Sequence, residues 1–510
     1  MAERFYITTA IDYANGDPHF GHAFEKIGAD VIARYRRLCG DEVHFLMGMD
    51  EHGLKVSQAA ATGGVQPQQL VDRIAETFAR TWESLEISHD QFVRTTDADH
   101  RRGVHALIER IFDRSPDDFY EKAYEGWYCV GCELFKREGE IVEGRCSVHP
   151  TRELEWTTER NWFFRLSAYE DFLRAHFRDN PRFLEPASRR NEILALIESG
   201  LDDISVSRAR LDWAIPFPRA TSDGERQGTW VWFDALPNYL TATGYPDEGW
   251  DLRWPAQLHV VGKDITRLHC VVWPAMLRAA GLPLPERVWA HGFVSLAGER
   301  FSKSAGITLD LQAAIDRHGP DALRYFLIRE IPWDSDGNFS YERFDERYTA
   351  ELANDLGNLA SRTLSMLAKY RDGIVPAAAR TALDDATDAA IADYRMRMDA
   401  LALHDGAAVA MRLAAEANGF VGTQAPWKLA KDPEAAAVLD ATLASLIRSL
   451  GVLAVLLSPY MPGRMETLWS RLGAPGPMPS LAELPSVSTV GWSGQAGGVL
   501  FPRPELAASG

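Results

Sequence analysis

Between Phe5 and Met47 the chain reads strand, turn, helix, strand: an apolar run at Phe5–Thr9, a turn through Asn15-Gly16-Asp17-Pro18, a helical stretch over Phe24–Arg37 and a second apolar run at Val43–Met47. Two strands joined through a crossover helix lie parallel, because the helix carries the chain back to the end of the sheet where the first strand began. Open parallel sheets take their ligands at the carboxyl ends of the strands. The turn Tyr13-Ala14-Asn15-Gly16-Asp17-Pro18-His19-Phe20-Gly21-His22 and the stretch Met49-Asp50-Glu51-His52-Gly53 both fall at such ends, so one crevice is expected between them. His19 and His22, three apart, occupy the first turn of the helix and face the same way. The N–H groups and dipole of that turn attract anions, and Gly21 has no side chain to hold a ligand off the backbone. The pattern fits a phosphate-binding turn, and equally a capped helix with two surface histidines.

A chain of 510 residues suggests about three domains. No unbroken run of 18 apolar residues occurs, the longest candidate being Gly451–Leu457, so no membrane span is expected. The first strand starts almost at the N-terminus, leaving no room for a signal or transit peptide, and a cytoplasmic protein is the default. A net charge of −18 excludes a generally basic nucleic-acid coat without excluding a local footprint.

Residues 115–225 change character, with short segments and glycines in place of long helices, and read as an insertion. Short apolar runs at Trp230–Phe233, Leu258–Val261 and Val288–His291 then resume the parallel sheet. From about Phe344, Leu352, Leu356, Leu359, Thr363, Met366 and Leu367 recur at helical spacing, and alanine-rich helices run on to about Leu457, an antiparallel bundle. After Pro462 a Pro, Gly and Ser-rich tail reads as an extended strap. The fold class is therefore α/β: a Rossmann-type parallel-sheet domain split by an insertion and followed by an all-α bundle.

Three of the five cysteines cluster in the insertion. Cys129-Val130-Gly131-Cys132, thirteen residues, then Cys146-Ser147-Val148-His149 is a two-knuckle pattern. Cys129, Cys132, Cys146 and His149 would close a tetrahedral, structural Zn²⁺ site with no open position. Cys39 and Cys270 read as ordinary buried cysteines. Further on, Arg300 and Lys303 lie three apart in a glycine-bounded loop that could act as a cationic clamp on phosphates, stabilising charge as it develops.

Taken in order, the two-histidine turn, the Arg300-Phe301-Ser302-Lys303-Ser304 loop and the helical C-terminal part resemble the class I aminoacyl-tRNA synthetases, whose signatures are HIGH and KMSKS. The departures are Phe20 for an aliphatic residue and Arg300-Phe301 for Lys-Met. Tyr13-Ala14-Asn15-Gly16, Met49-Asp50-Glu51-His52-Gly53, Asp203-Ile204-Ser205-Val206-Ser207-Arg208, Val231-Trp232-Phe233-Asp234-Ala235, Gly262-Lys263-Asp264 and Ala425-Pro426-Trp427 are similar to the methionine-specific branch over nearly the whole chain. A compact insert with a zinc knuckle fits that branch.

The resemblance implies ATP-dependent activation of L-methionine to methionyl-adenylate, with Mg²⁺ accompanying ATP, and transfer of the methionyl group to tRNA(Met). It implies ATP binding by His19, Gly21, His22, Lys263, Asp264 and Lys303, with His19, His22, Lys303 and Arg300 catalytic and Arg208 a further candidate near the adenylate. Ile11, Tyr13, Trp232, Leu236, Tyr239, His269 and Trp273 are implied as the methionine pocket, with Asp50 on the substrate ammonium. Phe20 is expected to turn into the core. Asn358, Arg362 and Trp427 are implied as anticodon readers, by hydrogen bonding and stacking. Residues 341–371 hold five Lys/Arg and five Asp/Glu, so charge adds nothing there. The implied divisions are 1–114 and 226–292 for the two catalytic halves, 115–225 for the insertion, 293–345 for the KMSKS loop and stem contact, and 346–510 for the anticodon-binding bundle with its strap. A monomer is expected. Rival readings are a small-molecule nucleotidyltransferase, a non-catalytic tRNA-binding relative and a synthetase for another amino acid.

Overall fold

The structure, a computed structural model, describes residues 3–503 apart from 130–133, 137, 148–149, 151–152, 210, 297–298 and 301–309. Its centre is a parallel sheet. Strand β1 (Arg4–Thr9) lies between β3 (Glu42–Asp50) and the strand Leu258–Gly262, which pairs in turn with Val288–His291. The short β2 (Asp12–Tyr13) and β4 (Gln91–Arg94) both pair with β3. Every pairing is parallel, as the crossover argument requires. Helix α1 (Phe20–Leu38) joins β2 to β3 and is buried along most of its length, so both its ends are held by the core.

Three segments depart from the sequence reading. Trp230–Phe233 is not a strand: Trp230 is extended, and Val231–Ala235 is one helical turn and a half. A helix there puts Trp232 and Phe233 on different sides and turns Asp234 inward to two buried histidines. The 115–225 stretch is not wholly outside the main sheet, since Leu184–Glu185 pairs with Val288 and Trp289 as its edge strand. The rest of that stretch is built on a long antiparallel pair, Phe119–Cys129 with Glu155–Phe164. Phe119, Phe164 and Phe217 share one hydrophobic core with Phe112 and Phe233 of the flanking segments, so the insertion is rooted by packing. After Pro462 a further helix, Pro462–Arg471, precedes the strap, whose Leu500 and Phe501 are buried.

The bundle is formed by Asn358–Arg371, Ala382–Asp399, Leu403–Gln424 and Ala436–Leu457. The predicted stripe is buried at Leu352, Leu356, Leu359, Thr363 and Leu367, with Met366 at its margin. The stretch Pro433–Leu457 is long and apolar enough by composition to cross a membrane (mean hydropathy 1.7 over an 18-residue window), yet 72% of that window is buried within the protein, as in a core helix, in keeping with the expectation of no membrane span. Asp440, Ser445 and Arg448 interrupt the run in sequence and turn to polar partners on neighbouring helices.

One guanidinium joins sheet domain and bundle. Arg324, fully buried, donates to Asp30 of α1 at 2.7 Å, to the carbonyl of Leu85 at 3.0 Å and to the carbonyls of Pro459 and Tyr460 at 2.8 and 3.1 Å. Asp30 also accepts from Arg34 and Ser88, so one carboxylate serves two guanidinium groups and every charge in this cluster is hydrogen-bonded.

Candidate active site

His19 is the N-cap of α1. Its Nδ1 accepts the backbone N–H groups of Gly21 (3.1 Å) and His22 (3.4 Å), while His22 Nδ1 accepts the N–H of His19 (3.3 Å). This reciprocal cap corrects one expectation, for the first-turn amides of Gly21 and His22 are taken by the imidazoles instead of lying open to an anion. A neutral ring that accepts at Nδ1 carries its proton on Nε2, so the rings relay the donor character of the turn outward. Gly21 also serves this arrangement, because a Cβ there would stand 3.0 Å from His19 Cε1. Phe20 turns into the core as expected, fully buried with its ring 4.4 Å from that of Phe339.

Behind the turn lies a buried charge cluster that sequence reading missed. Lys26 Nζ reaches Glu25 at 2.7 Å, Asp12 at 2.9 Å and the carbonyl of Ala10 at 2.8 Å. Glu25 also meets His291 Nε2 at 2.9 Å, and His291 ends the strand Val288–His291 at the same edge of the sheet. Burial pushes the Asp12 carboxyl up to about 6 against the pull of Lys26. Lys26 thus ties the loop carrying Ile11 and Tyr13 to the helix that begins at His19.

The implied methionine residues come together beside this edge. Tyr13 pairs with Asp50 in the β2–β3 register, and Asp50 is buried. Ile11, Tyr13, Trp232, Leu236, Tyr239 and Trp273 belong to one hydrophobic cluster. The Tyr239 ring lies 5.6 Å from that of His269 and 6.4 Å from that of Trp273, and Trp232 meets His269 edge-on at 6.4 Å. His269 Nδ1 lies 3.0 Å from the Ile265 carbonyl and can only donate there, so Nε2 accepts the Tyr239 hydroxyl at 2.7 Å. Burial holds this histidine down at about 4, so it is neutral. A second unit missed in the sequence sits alongside: Asp234 bridges His52 (2.6 Å) and His100 (2.9 Å), and despite its burial the two histidines hold it at about 2. The alternation of Asp, Glu and His in Met49–Gly53 was a signal for it, but its partners lie far along the chain.

The other candidates divide. Lys263 and Asp264 follow the strand Leu258–Gly262 at the same edge, and the Lys263 ammonium is paired with Asp336. Arg208 is turned inward: Nη1 donates to the carbonyls of Ser205 and Ser207 and to Ser205 Oγ, contacts that brace a short ribbon. The backbone of Arg300 pairs with Ser295, but its side chain and all of Lys303 lie outside the described residues. So do Cys132 and His149. Cys129 and Cys146 are brought together, both fully buried beside Leu154 and Ile141, which fits two ligands of one tetrahedral site. Among the described residues no group of three or more His, Cys, Asp or Glu is placed to hold a metal. Cys270 is buried as expected, whereas Cys39 is partly exposed.

On the bundle, Arg362 and Trp427 line one groove with Ser361, Ser365, Met366 and Tyr370, about 330 Å³ in volume. Asn358 is exposed one turn before Arg362 on the same helix but does not line that groove.

Comparison with known proteins accounts for both parts of the molecule. Residues 5–153 and 138–364 match the model of class I (M) tRNA synthetases, and residues 372–480 that of the anticodon binding domain of methionyl tRNA ligase. The methionine–tRNA ligase of Brucella suis is 42% identical over 99% of this chain and 97% of its own length. That of Mycobacterium bovis is 44% identical over 92% of each. Mycobacterium tuberculosis methionyl-tRNA synthetase in complex with methionyl-adenylate superposes with a TM-score of 0.93 at 41% identity, over 98% of this chain and 100% of that one. Family models and relatives of one kind thus span both the sheet domain and the helical bundle, and the chain belongs to the methionyl-tRNA synthetase family of class I.

Proposed function

We propose that this chain forms methionyl-adenylate from L-methionine and ATP and passes the methionyl group to tRNA(Met), in initiation and elongation alike. The observation that carries the reading is the β2–β3 register. Tyr13, opposite Asp50, belongs to the aromatic pocket and stands six residues before His19, so one loop joins an amino-acid site to an anion site.

A thioether is flexible and polarisable and packs well on aromatic edges, which suits Trp232, Tyr239 and Trp273. A neutral His269 adds no charge to that pocket, and the Asp50 carboxylate pairs with the substrate ammonium. The methionine carboxylate attacks the α-phosphorus of the Mg²⁺ complex of ATP, forming an acyl–phosphate bond as the bond to pyrophosphate breaks. No protein group needs to react covalently; positioning and charge neutralisation carry the step. His19 and His22 donate from Nε2 to phosphate oxygens, Lys263 and Asp264 flank the nucleotide, and Lys303 with Arg300 neutralises the departing pyrophosphate. A ribose hydroxyl at the tRNA 3′ end then takes the acyl group and AMP leaves. Trp427 stacks on an unpaired anticodon base while Asn358 and Arg362 bond base edges.

Cys129, Cys132, Cys146 and His149 would hold one structural Zn²⁺, which cross-links the two knuckles of the insertion. The divisions proposed from the sequence, 1–114, 115–225, 226–292, 293–345 and 346–510, follow these tasks, and the enzyme works as a cytoplasmic monomer. ATP–pyrophosphate exchange measured with each of the twenty amino acids tests the reading. Exchange with methionine, followed by methionylation of tRNA, is expected; exchange with a different amino acid, or none with any, overturns it.

A further inference from the structure

The Lys263 ammonium already has a holder. Nζ lies 2.8 and 2.6 Å from the two carboxylate oxygens of Asp336 and 4.7 Å over the Phe293 ring. The same carboxylate accepts the backbone N–H of Phe293 at 2.8 Å. Asp336 is fixed by its own backbone: Gly337, next in the chain, donates to the Phe293 carbonyl at 3.0 Å, and Gly337–Phe339 runs parallel to Val294–Leu296. At Gly292 a Cβ would stand 2.1 Å from the Ser335 carbonyl oxygen and 2.6 Å from Asp336 N, so the two segments touch backbone to backbone, a contact only glycine allows. The carboxylate therefore imposes a position on the lysine. Burial would raise the Asp336 carboxyl, but Lys263 and the Phe293 amide hold it below the usual range, so it is ionised at neutral pH.

A half-exposed ion pair alone contributes little to stability. This one lies at the carboxyl edge of the sheet, between the strand that ends at Gly262 and the segment that leads to Arg300. A lysine is a point charge on a flexible stem, and holding it still before the ligand arrives removes an ordering cost from binding. An ammonium has three N–H groups; two engaged by Asp336 leave the third for a phosphate oxygen.

We infer that Asp336 is a positioning residue for the nucleotide, orienting the Lys263 ammonium toward the ATP phosphates from the root of the Val294–Leu296 strand. The inference rests on the reading that Lys263 contacts ATP. Lys26 does the comparable task for the pocket loop, but Asp336 is the side chain that reaches a group assigned to ATP.

The test is ATP–pyrophosphate exchange, with ATP and methionine varied separately, for Asp336→Asn, Asp336→Glu, Lys263→Met and the Asp336→Asn/Lys263→Met double variant. Asp336→Asn is expected to raise KM for ATP roughly three- to ten-fold, the worth of one ordered long side chain, and to leave KM for methionine unchanged. Asp336→Glu should fall between it and the unaltered enzyme. The double variant should match Lys263→Met alone, because the aspartate acts only through the lysine. If Lys263→Met raises KM for ATP and Asp336→Asn does not, the inference fails and the ATP reading stands. If Lys263→Met has no effect, both fail. Equal rises in KM for ATP and methionine, or additive effects in the double variant, would mark Asp336 as a strut for the fold and overturn the inference. Asp336→Glu supplies the same comparison should the asparagine variant not fold.

Discussion

The imidazole of His19 lies stacked on that of His22, ring centroids 3.7 Å apart and planes 16° from parallel, each Nδ1 closing a backbone N–H of the turn. Capping and phosphate binding therefore use different nitrogens of the same rings, and a substitution can separate them. Asparagine caps helices well but has no Nε2. His19→Asn is expected to keep the melting temperature within a few degrees while lowering ATP–pyrophosphate exchange by ~10²-fold, as for loss of one transition-state donor. Calorimetry and exchange on the same preparation check the pair of outcomes, and equal losses in both would mean the ring only caps.

Lys303→Ala should slow exchange by ~10²-fold or more with little change in thermal stability, because its charge is needed only as pyrophosphate departs. An unchanged exchange rate would remove this lysine from the mechanism.

Trp427 is 41% exposed on the rim of its groove, a costly place for an indole without a ligand. Trp427→Ala is expected to leave methionine activation intact and to lower kcat/KM for tRNA by ~10- to 100-fold, the worth of one base–aromatic stack. Aminoacylation measured beside exchange decides it; a variant that charges tRNA normally would sink the anticodon assignment.

The neutral His269 makes an acid-side prediction. In the unfolded chain it takes a proton near 6.5, whereas in the fold burial delays this to about 4. Between those values the unfolded state binds more protons, so this residue's contribution is intact above about 6.5 and is lost as pH falls toward 4. Asp12 and Asp321, both raised to about 6, act in the opposite sense over part of that window, so the comparison must be with a matched variant. The stability advantage of the unaltered protein over His269→Asn is expected to shrink by on the order of 3 kcal/mol from pH 6.5 to 4. Urea unfolding of both proteins at several pH values measures it, and a constant difference would contradict a neutral buried imidazole.

The two buried thiols of the insertion predict about one zinc per chain in purified protein, lost in Cys129→Ser/Cys146→Ser together with part of the insertion's thermal stability. Elemental analysis with a melting curve tests this; metal-free protein that melts unchanged would dismiss the site.

Much of this was legible beforehand because it is local. The run Phe5–Thr9, the Asn15–Pro18 turn and the helix after it specify a crossover without reference to distant residues, and the expected inward turn of Phe20 is what the fold shows. Asp50 and Tyr13 could be set at one edge because both follow strands of the same unit. What escaped depends on contacts far apart in sequence. Val231–Ala235 is apolar enough for a strand and becomes a helical turn because Asp234 must meet His52 and His100. Leu184–Glu185 is too short to be recognised as an edge strand until Val288 is beside it. Lys26 and Asp336 carry ordinary surface-type charges, and only packing reveals that one is buried under the pocket loop and the other grips a lysine. Gly21 was read for the ligand and not for the ring of its neighbour, since the direction in which His19 folds back is a side-chain matter.

Arg324 has a bearing on how this molecule could be dissected. Its guanidinium draws on Asp30 at the heart of the first crossover and on carbonyls at Pro459 and Tyr460, close to the far end of the chain. Removing the bundle would strip an interior cation of two of its four acceptors and open its surroundings to solvent, a loss on the order of 1–3 kcal/mol. The helical half is therefore no freely detachable module: cut apart, the sheet half would keep the Arg324–Asp30 pair under an uncovered seam, and the bundle would be left with the unmatched carbonyls of Pro459 and Tyr460.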